Sequence, residues 1–153
     1  MRQDEIRSAK VKIARYCAYQ ERSQNEVRDK LYKLGLYSDE VEYLVSELIG
    51  ENFVNEERFS IAFIRGRFRL KHWGKVKIAE ELKRKGISKN LIAMAMREIG
   101  HEEYVATLKK LANKKFHSLR VNDLAGRQKI ANYLIGKGYE PDLVWDCIKE
   151  IDA

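Results

Sequence analysis

One pattern occurs three times in this chain and leaves few folds open to it. Val27-x3-Leu31-x3-Gly35, Ile78-x3-Leu82-x3-Gly86 and Ile130-x3-Leu134-x3-Gly138 each place an apolar pair four residues apart and a glycine four residues later, the glycines lying 51 and 52 residues apart. A second amphipathic run follows each glycine. It carries Val41, Leu44, Val45 and Leu48 in the first copy, Ile92, Ala95, Met96 and Ile99 in the second, and Val144, Cys147, Ile148 and Ile151 in the third, with matching offsets throughout. Apolar residues four apart line one face of a helix, and a glycine just beyond them takes the left-handed conformation that ends it.

Local chemistry supports helices at these places. Ser23-x-x-Glu26 forms a capping box, Ser38 is an N-cap candidate for the helix after Gly35, and Pro141 suits the first turn of the last helix, where a missing N–H costs nothing. A further helix precedes each pair. The clearest starts after Asn55, another N-cap candidate, with Glu56 and Glu57 favouring the macrodipole. Phe59, Ala62, Phe63 and Leu70 make its apolar stripe, widened by Ile61 and Ile64; the other two first helices carry Ile13, Ala14 and Cys17, and Tyr104, Val105, Leu108 and Leu111. With one proline in 153 residues and spacings of three and four throughout, the expected fold is all-α. It comprises three tandem three-helix repeats, over residues 9–50, 55–100 and 101–151. A unit of this size buries too little surface to stand alone, so the repeats are expected to stack on their neighbours.

The net charge of +7 is unevenly spread. From Arg58 to Lys89 there are 11 Lys and Arg against 2 acids, while cations and acids nearly cancel over the rest of the chain. Such a concentration is the electrostatic footprint of a polyanion or of an acidic protein groove. The longest apolar run, Leu91 to Met96, is far shorter than the roughly 20 residues of a membrane span, and the start Met1-Arg2-Gln3-Asp4-Glu5 has no signal-peptide core. The expectation is a cytoplasmic protein without a membrane partner. Cys17 and Cys147 lie far apart in apolar helical contexts, as buried reduced thiols do.

Enzyme signatures are missing. There is no GxxxxGK[ST], Gly66 and Gly74 do not sit in a strand-turn-helix, and His72, His101 and His117 are scattered without metal-ligand spacing. Glu80 with Arg84, and Glu81 with Lys85, read as solvated helix pairs. No catalytic residue, cofactor or metal is therefore expected. The central cations compete with the bland reading that they merely solubilise helix faces. Against it, Arg58, Arg65 and Arg69 are spaced by seven and four, which predicts one stripe. Arg67, Lys71, His72 and Lys75 surround a helix end and loop at 70–74 that holds no acid, and Phe68 and Trp73 interleave with them as core residues or as stacking surfaces. Lys77, Arg84 and Lys85 extend the set. A weaker basic stretch holds Lys109, Lys110, Lys114, Lys115, Arg120, Arg127 and Lys129 against the single acid Asp123, at the longer connection within the third repeat. Helix exposure explains its first half; continuation of a binding track explains all of it.

Three runs resemble the RecX family of regulatory proteins. They are Arg22-Ser23-x-x-Glu26-Val27-Arg28-x-Lys30-Leu31, Glu57-Arg58-Phe59-Ser60-x-Ala62-Phe63-x-Arg65-x-Arg67, and Gly74-x3-Ile78-x-x-Glu81-Leu82-x-x-Lys85-Gly86-Ile87. The third repeat is similar only in helix pattern, and the acidic pair that commonly precedes Arg-Phe in the family appears as Asn55-Glu56-Glu57. The resemblance implies an elongated, curved array of three repeats that modulates the RecA recombinase. It implies binding along the groove of the RecA filament on DNA, with restraint of ATPase, strand-exchange and coprotease activities, and in some members direct contact with single- or double-stranded DNA. Carried onto this chain, Arg58, Arg65, Arg67, Arg69, Lys71, His72, Trp73, Lys75, Lys77, Arg84 and Lys85 would face acidic RecA surface or DNA phosphates. Charge reversal at Arg65, Arg67 and Lys71 is expected to weaken that binding without unfolding the protein. The competing readings are a DNA-binding module or helix-turn-helix regulator, which as an obligate dimer would show base-specific, two-fold half-sites, and a helical scaffold for some other acidic protein. With no heptad seam or obvious apolar surface patch, a monomer is expected.

Overall fold

The three repeat glycines end their helices in the same way. Gly35, Gly86 and Gly138 have φ of +93°, +85° and +104°, a left-handed conformation that costs a residue bearing a Cβ about 1–2 kcal/mol. In each copy the glycine N–H bonds the carbonyl three residues back, and the next N–H reaches the repeat leucine five back: Leu36 to Leu31 at 3.3 Å, Ile87 to Leu82 at 3.1 Å and Tyr139 to Leu134 at 3.2 Å. This is the Schellman arrangement, in which the apolar residue past the glycine tucks against the helix end. Leu36, Ile87 and Tyr139 are accordingly buried.

A computed structural model describes residues 2–119 and 123–151 of the chain. Its order is α1 (Gln3–Tyr19), α2 (Gln24–Lys33), α3 (Ser38–Gly50), α4 (Glu56–Arg65), a π turn (Gly66–Leu70), α5 (Lys75–Arg84), α6 (Lys89–Ala95), a 3₁₀ turn (Met96–Glu98), α7 (His101–Leu119), α8 (Leu124–Gly136) and α9 (Pro141–Ile151). No strand occurs among the described residues, and the all-α reading stands. None of their helices is long and apolar enough to cross a membrane.

Several helix starts follow from single side chains. Ser23 Oγ accepts from the Glu26 N–H at 3.1 Å while the Glu26 carboxylate accepts from the Ser23 N–H at 2.9 Å, the expected capping box. Asn55 caps α4 by accepting from the Arg58 N–H at 2.9 Å, and Asp123 caps α8 through Gly126 at 2.7 Å. Ser38 departs from its expected role. It is the first helical residue of α3, and the N–H of Tyr37 before it donates to the Glu40 carboxylate at 2.8 Å. Helix α1 also begins earlier than residue 9, because Ile6 and Ala9 continue the buried face of Ile13 and Cys17.

The chain divides into two compact units, one of residues 1–63 and 82–95, the other of 64–81 and 96–153. In the first, α1, α2 and α3 pack on one another around Ile13, Val27, Leu31, Leu44 and Leu48. Its carboxylate Glu40 is 1% exposed. It accepts from Arg2 Nη2 at 2.7 Å, from the Arg2 N–H at 3.0 Å and from the Tyr37 N–H. Those bonds, the Arg2 side chain foremost, hold its pKa down at about 2. In the second unit α7, α8 and α9 pack on one another, burying Leu108, Ile130, Leu134 and Val144. The middle repeat of the sequence is thus divided between the units, α4 up to Phe63 belonging to the first and the π turn to the second.

The α4 stripe needs correction. Phe59, Ser60, Ile64 and Phe68 are buried, whereas Ala62 and Leu70 are exposed, Leu70 at 83%. The π turn takes an extra residue per turn. Residues after Arg65 are thereby rotated about the axis, which carries Phe68 inward and Leu70 out. Cys17 and Cys147 are buried free thiols.

Candidate basic interface in the second unit

The eleven residues singled out by sequence are distributed over both units. Arg58, Arg84 and Lys85 belong to the first unit and the other eight to the second. Arg58 Nε lies 2.6 Å from Glu21, and its guanidinium also donates to the Asn52 carbonyl at 3.0 Å. Lys85 reaches Glu26 at 3.2 Å, with its ammonium 5.7 Å from the centre of the Phe63 ring. In the second unit Arg65 donates to Glu98 at 2.7 Å and Arg69 lies 3.5 Å from Glu103. The stripe expected of Arg58, Arg65 and Arg69 is therefore met by three different carboxylates. An exposed pair of this kind contributes little stability, about 0–1 kcal/mol, but it does cancel charge locally.

Around Trp73 the arrangement differs. The Lys77 ammonium lies 4.2 Å from the centre of its ring, the Arg67 guanidinium 5.3 Å and the Lys71 ammonium 5.8 Å. Lys75 stands 4.6 Å over Tyr104. Among the described residues no carboxylate forms a salt bridge with Lys71, Lys75 or Lys77. For Lys71 and Lys77 the half-buried indole takes the place of an anion, offering them the negative face of its π system. Phe68 is in the core, 2% exposed, with its ring 5.8 Å from Tyr104. His72 is exposed at the rim with φ +57°.

The loop carrying Trp73 is pinned by the third repeat. Gly74 N–H donates to the Lys137 carbonyl at 2.8 Å and Val76 N–H to Gly138 at 2.9 Å. Tyr139 OH donates to the His72 carbonyl at 2.9 Å, and Lys75 N–H donates to Tyr104 OH at 2.9 Å. Tyr104 OH in turn donates to the Glu140 carboxylate. Only glycine fits at 74, since a Cβ there would stand 2.2 Å from the Gly138 carbonyl carbon. The Tyr104 and Tyr139 rings stack at 5.2 Å. Burial, and for Tyr104 also the bond to Glu140, pushes both phenols far above the usual range, so each keeps its proton as a donor.

Lys137 extends the cluster towards α8. Its ammonium donates to the Lys71 carbonyl at 3.3 Å and lies 5.8 Å from the Tyr133 ring centre, while Lys115 stands 4.6 Å over the same ring. Burial, then the nearby charge of Lys77, lowers the pKa of Lys137. The weaker basic stretch is otherwise dispersed: Lys109 pairs with Glu150 at 3.0 Å, Lys129 is exposed on α8, and Arg120 lies outside the described residues. The connection before α8 is also shorter than the stretch suggested, because α7 runs to Leu119.

The contributions of Tyr104, Tyr133, Lys137 and Tyr139 were not anticipated. One signal was available for Tyr139: it occupies the position of Leu36 and Ile87 after the repeat glycine, yet carries a hydroxyl that a buried position must satisfy. Among the described residues no three of His, Cys, Asp and Glu gather as a metal site.

Three family models match in chain order: RecX, first three-helix domain, over residues 9–48, the second three-helix domain over 55–96, and the third over 102–148. The chain belongs to the RecX family. It is 26% identical over 149 residues to Regulatory protein RecX of Bacillus cytotoxicus, covering 97% of this chain and 55% of that protein. To Regulatory protein RecX of Halalkalibacterium halodurans it is 27% identical over 150 residues, covering 97% and 56%. The chain spans about half the length of the curated RecX relatives it matches. The crystal structure of RecX from Lactobacillus salivarius superposes with a TM-score of 0.88 at 25% identity, over 98% of both chains. A second crystal structure, of regulatory protein RecX, gives 0.86 at 25% identity, over 97% of this chain and 73% of the other. The second RecX domain includes the Trp73 loop, and the third includes the tyrosines and Lys137.

Proposed function

We propose that this RecX-family chain is a cytoplasmic regulator that binds in the groove of the RecA–DNA filament and restrains RecA ATPase, strand-exchange and coprotease activity. The observation that carries the reading is the cation cluster around Trp73, in a member of a regulatory protein family. A filament on DNA offers a repeating acidic surface and a phosphate backbone, and a cluster of like-signed charges raises the encounter rate with either. Inhibition then needs no chemistry. A protein seated across neighbouring protomers favours the filament state that it fits, and it opposes the changes needed for ATP turnover or growth by the difference in its affinity for the two states. Contact with DNA alone, as a helical nucleic-acid-binding module, is the second reading, favoured by the aromatic rings within the cluster.

The test is ATP hydrolysis by RecA stimulated with single-stranded DNA, followed as the purified chain is added. Dose-dependent suppression is expected, weakening as salt rises. The triple variant Arg67→Glu, Lys71→Glu, Lys77→Glu is expected to lose at least ten-fold in potency while keeping its helical circular dichroism. Lys71 and Lys77 are better choices than Arg65, whose reversal would also set a new carboxylate against Glu98. Unchanged potency of the folded variant removes this face from the contact, and absence of suppression by the wild type removes the proposal.

A further inference from the structure

We propose that Lys137 is a modification site, an amine that takes acyl groups from small acyl phosphates ahead of the carboxylate-paired and the openly exposed lysines of the chain. The inference is independent of the RecA reading, because it concerns one amine and a small anionic reagent.

Lys137 stands where an ammonium is poorly served. It caps the C-terminal end of α8, a place that ordinarily favours a cation through its free carbonyls. Here those carbonyls are taken. Tyr133 and Leu134 accept from the N–H groups of Lys137 and Tyr139, Lys137 from Gly74 at 2.8 Å, and Gly138 from Val76 at 2.9 Å. The half-buried side chain donates to one neutral acceptor, the Lys71 carbonyl at 3.3 Å, and among the described residues it meets no carboxylate. Glu140, the nearest acid along the chain, is engaged by Tyr104 OH. The charges that do face Lys137 are cationic. The same backbone bonds set the start of α5 against the turn after Lys137, so closely that a Cβ on Gly138 would stand 2.4 Å from Lys77 Cβ. On α7, Lys115 shares the Tyr133 ring with it, at 4.6 Å against 5.8 Å for Lys137.

Such surroundings favour the neutral, nucleophilic amine. Burial, then the charge of Lys77, lowers the pKa of Lys137, and a lysine desolvated beside another cation is one way in which amines are activated. Lys10 and Lys109 are the opposite case, held protonated by Glu47 with Glu51 and by Glu150. Losing the proton does not break the bond to Lys71, since a neutral amine still has an N–H to donate while its lone pair points elsewhere. The reagent follows from the neighbours: Lys71, Lys77 and Lys115 draw an anion, and an acyl phosphate carries its anion on the leaving group itself. The amine lone pair forms the N–C bond to the acyl carbon and the C–O bond to phosphate breaks. Phosphate leaves with that electron pair and takes up the surplus proton of the amine. The amide formed keeps an N–H for the Lys71 carbonyl and no longer carries the charge that Lys77 opposes.

The test treats the full chain with acetyl phosphate and follows the fraction acetylated at each lysine over time by peptide mass spectrometry. Lys137 is expected to react at least about ten-fold faster than Lys10 or Lys109, the ratio given by one unit of pKa. It is also expected to outpace Lys129 on the open face of α8. Added salt should slow the reaction at Lys137 by screening the reagent from the cations. Lys77→Met, which keeps the stem and removes the charge, should slow it as well. The ranking of sites within the wild type needs no variant and decides the matter should Lys77→Met fail to fold. N-hydroxysuccinimide acetate, an uncharged donor, should show the same preference for Lys137 without the salt dependence. Acetylation of Lys137 no faster than of Lys129, or of Lys77 in its place, overturns the site. Preference with the uncharged ester but none with acetyl phosphate overturns the acyl phosphate as donor.

Discussion

Gly138 meets two demands, of which Gly35 shares one. Both lie in left-handed backbone, but a Cβ on Gly35 would meet nothing within 4 Å, whereas on Gly138 it would stand 2.4 Å from Lys77 Cβ and 2.9 Å from the Gly74 carbonyl oxygen. Gly35→Ala is therefore expected to lose about 1–2 kcal/mol, the conformational strain alone. Gly138→Ala must in addition push apart the backbones that position Trp73, and is expected to lose clearly more. Urea denaturation of both variants checks the ranking; equal losses would show that the close approach is soft. The spacing of the repeat made both glycines legible as helix ends. It carried no sign that one of them also touches a second glycine 64 residues away.

At the scale of elements, the loop between the π turn and α5 owes its shape to side chains far along the chain. Tyr104→Phe removes the oxygen that accepts from Lys75 N–H and donates to Glu140. Leaving a buried N–H and a carboxylate short of a partner is expected to cost about 1–3 kcal/mol. The loss should be local as well as global: the Lys75 amide should exchange faster with solvent, and in a Trp145→Phe background Trp73 should become more accessible to acrylamide. An amide that stays protected would refute the pinning role. The helices themselves were readable from their caps and apolar spacing. The π turn was not, because i→i+5 bonding leaves no periodic trace over five residues, and it is the π turn that sends Leu70 outward and Phe68 into the core.

On the scale of the whole molecule, stability in acid should be governed in part by Glu40. Its carboxyl is held at about 2 in the folded protein against an ordinary value of 4.5. A depressed carboxylate contributes stability that is complete above the unfolded value and is lost as the pH falls from about 4.5 towards 2. Thermal melts at acidic and neutral pH are expected to show a larger drop for the wild type than for Glu40→Gln, which lacks the ionisation and starts less stable. Equal drops would dissociate Glu40 from acid unfolding. The division into two units is a property of the same scale. The sequence repeats three times, yet contacts gather residues 64–81 with 96–153, and the central basic run is parted between the units.

What the chain determined by itself is periodic and local: the helices, their Schellman ends, the capping box and Asn55 cap, and membership in a family built of three-helix domains. These depend on residues within about one turn of each other, where a single sequence carries the whole interaction. Which cations are cancelled was decided by folding alone. Arg65 and Lys85 look alike on paper to Lys71 and Lys77, but Glu98 and Glu26 are brought to the first two, while Trp73 stands where a carboxylate would be for the others. Charge cancellation depends on distances of a few ångströms between residues tens of positions apart, and no local pattern encodes those.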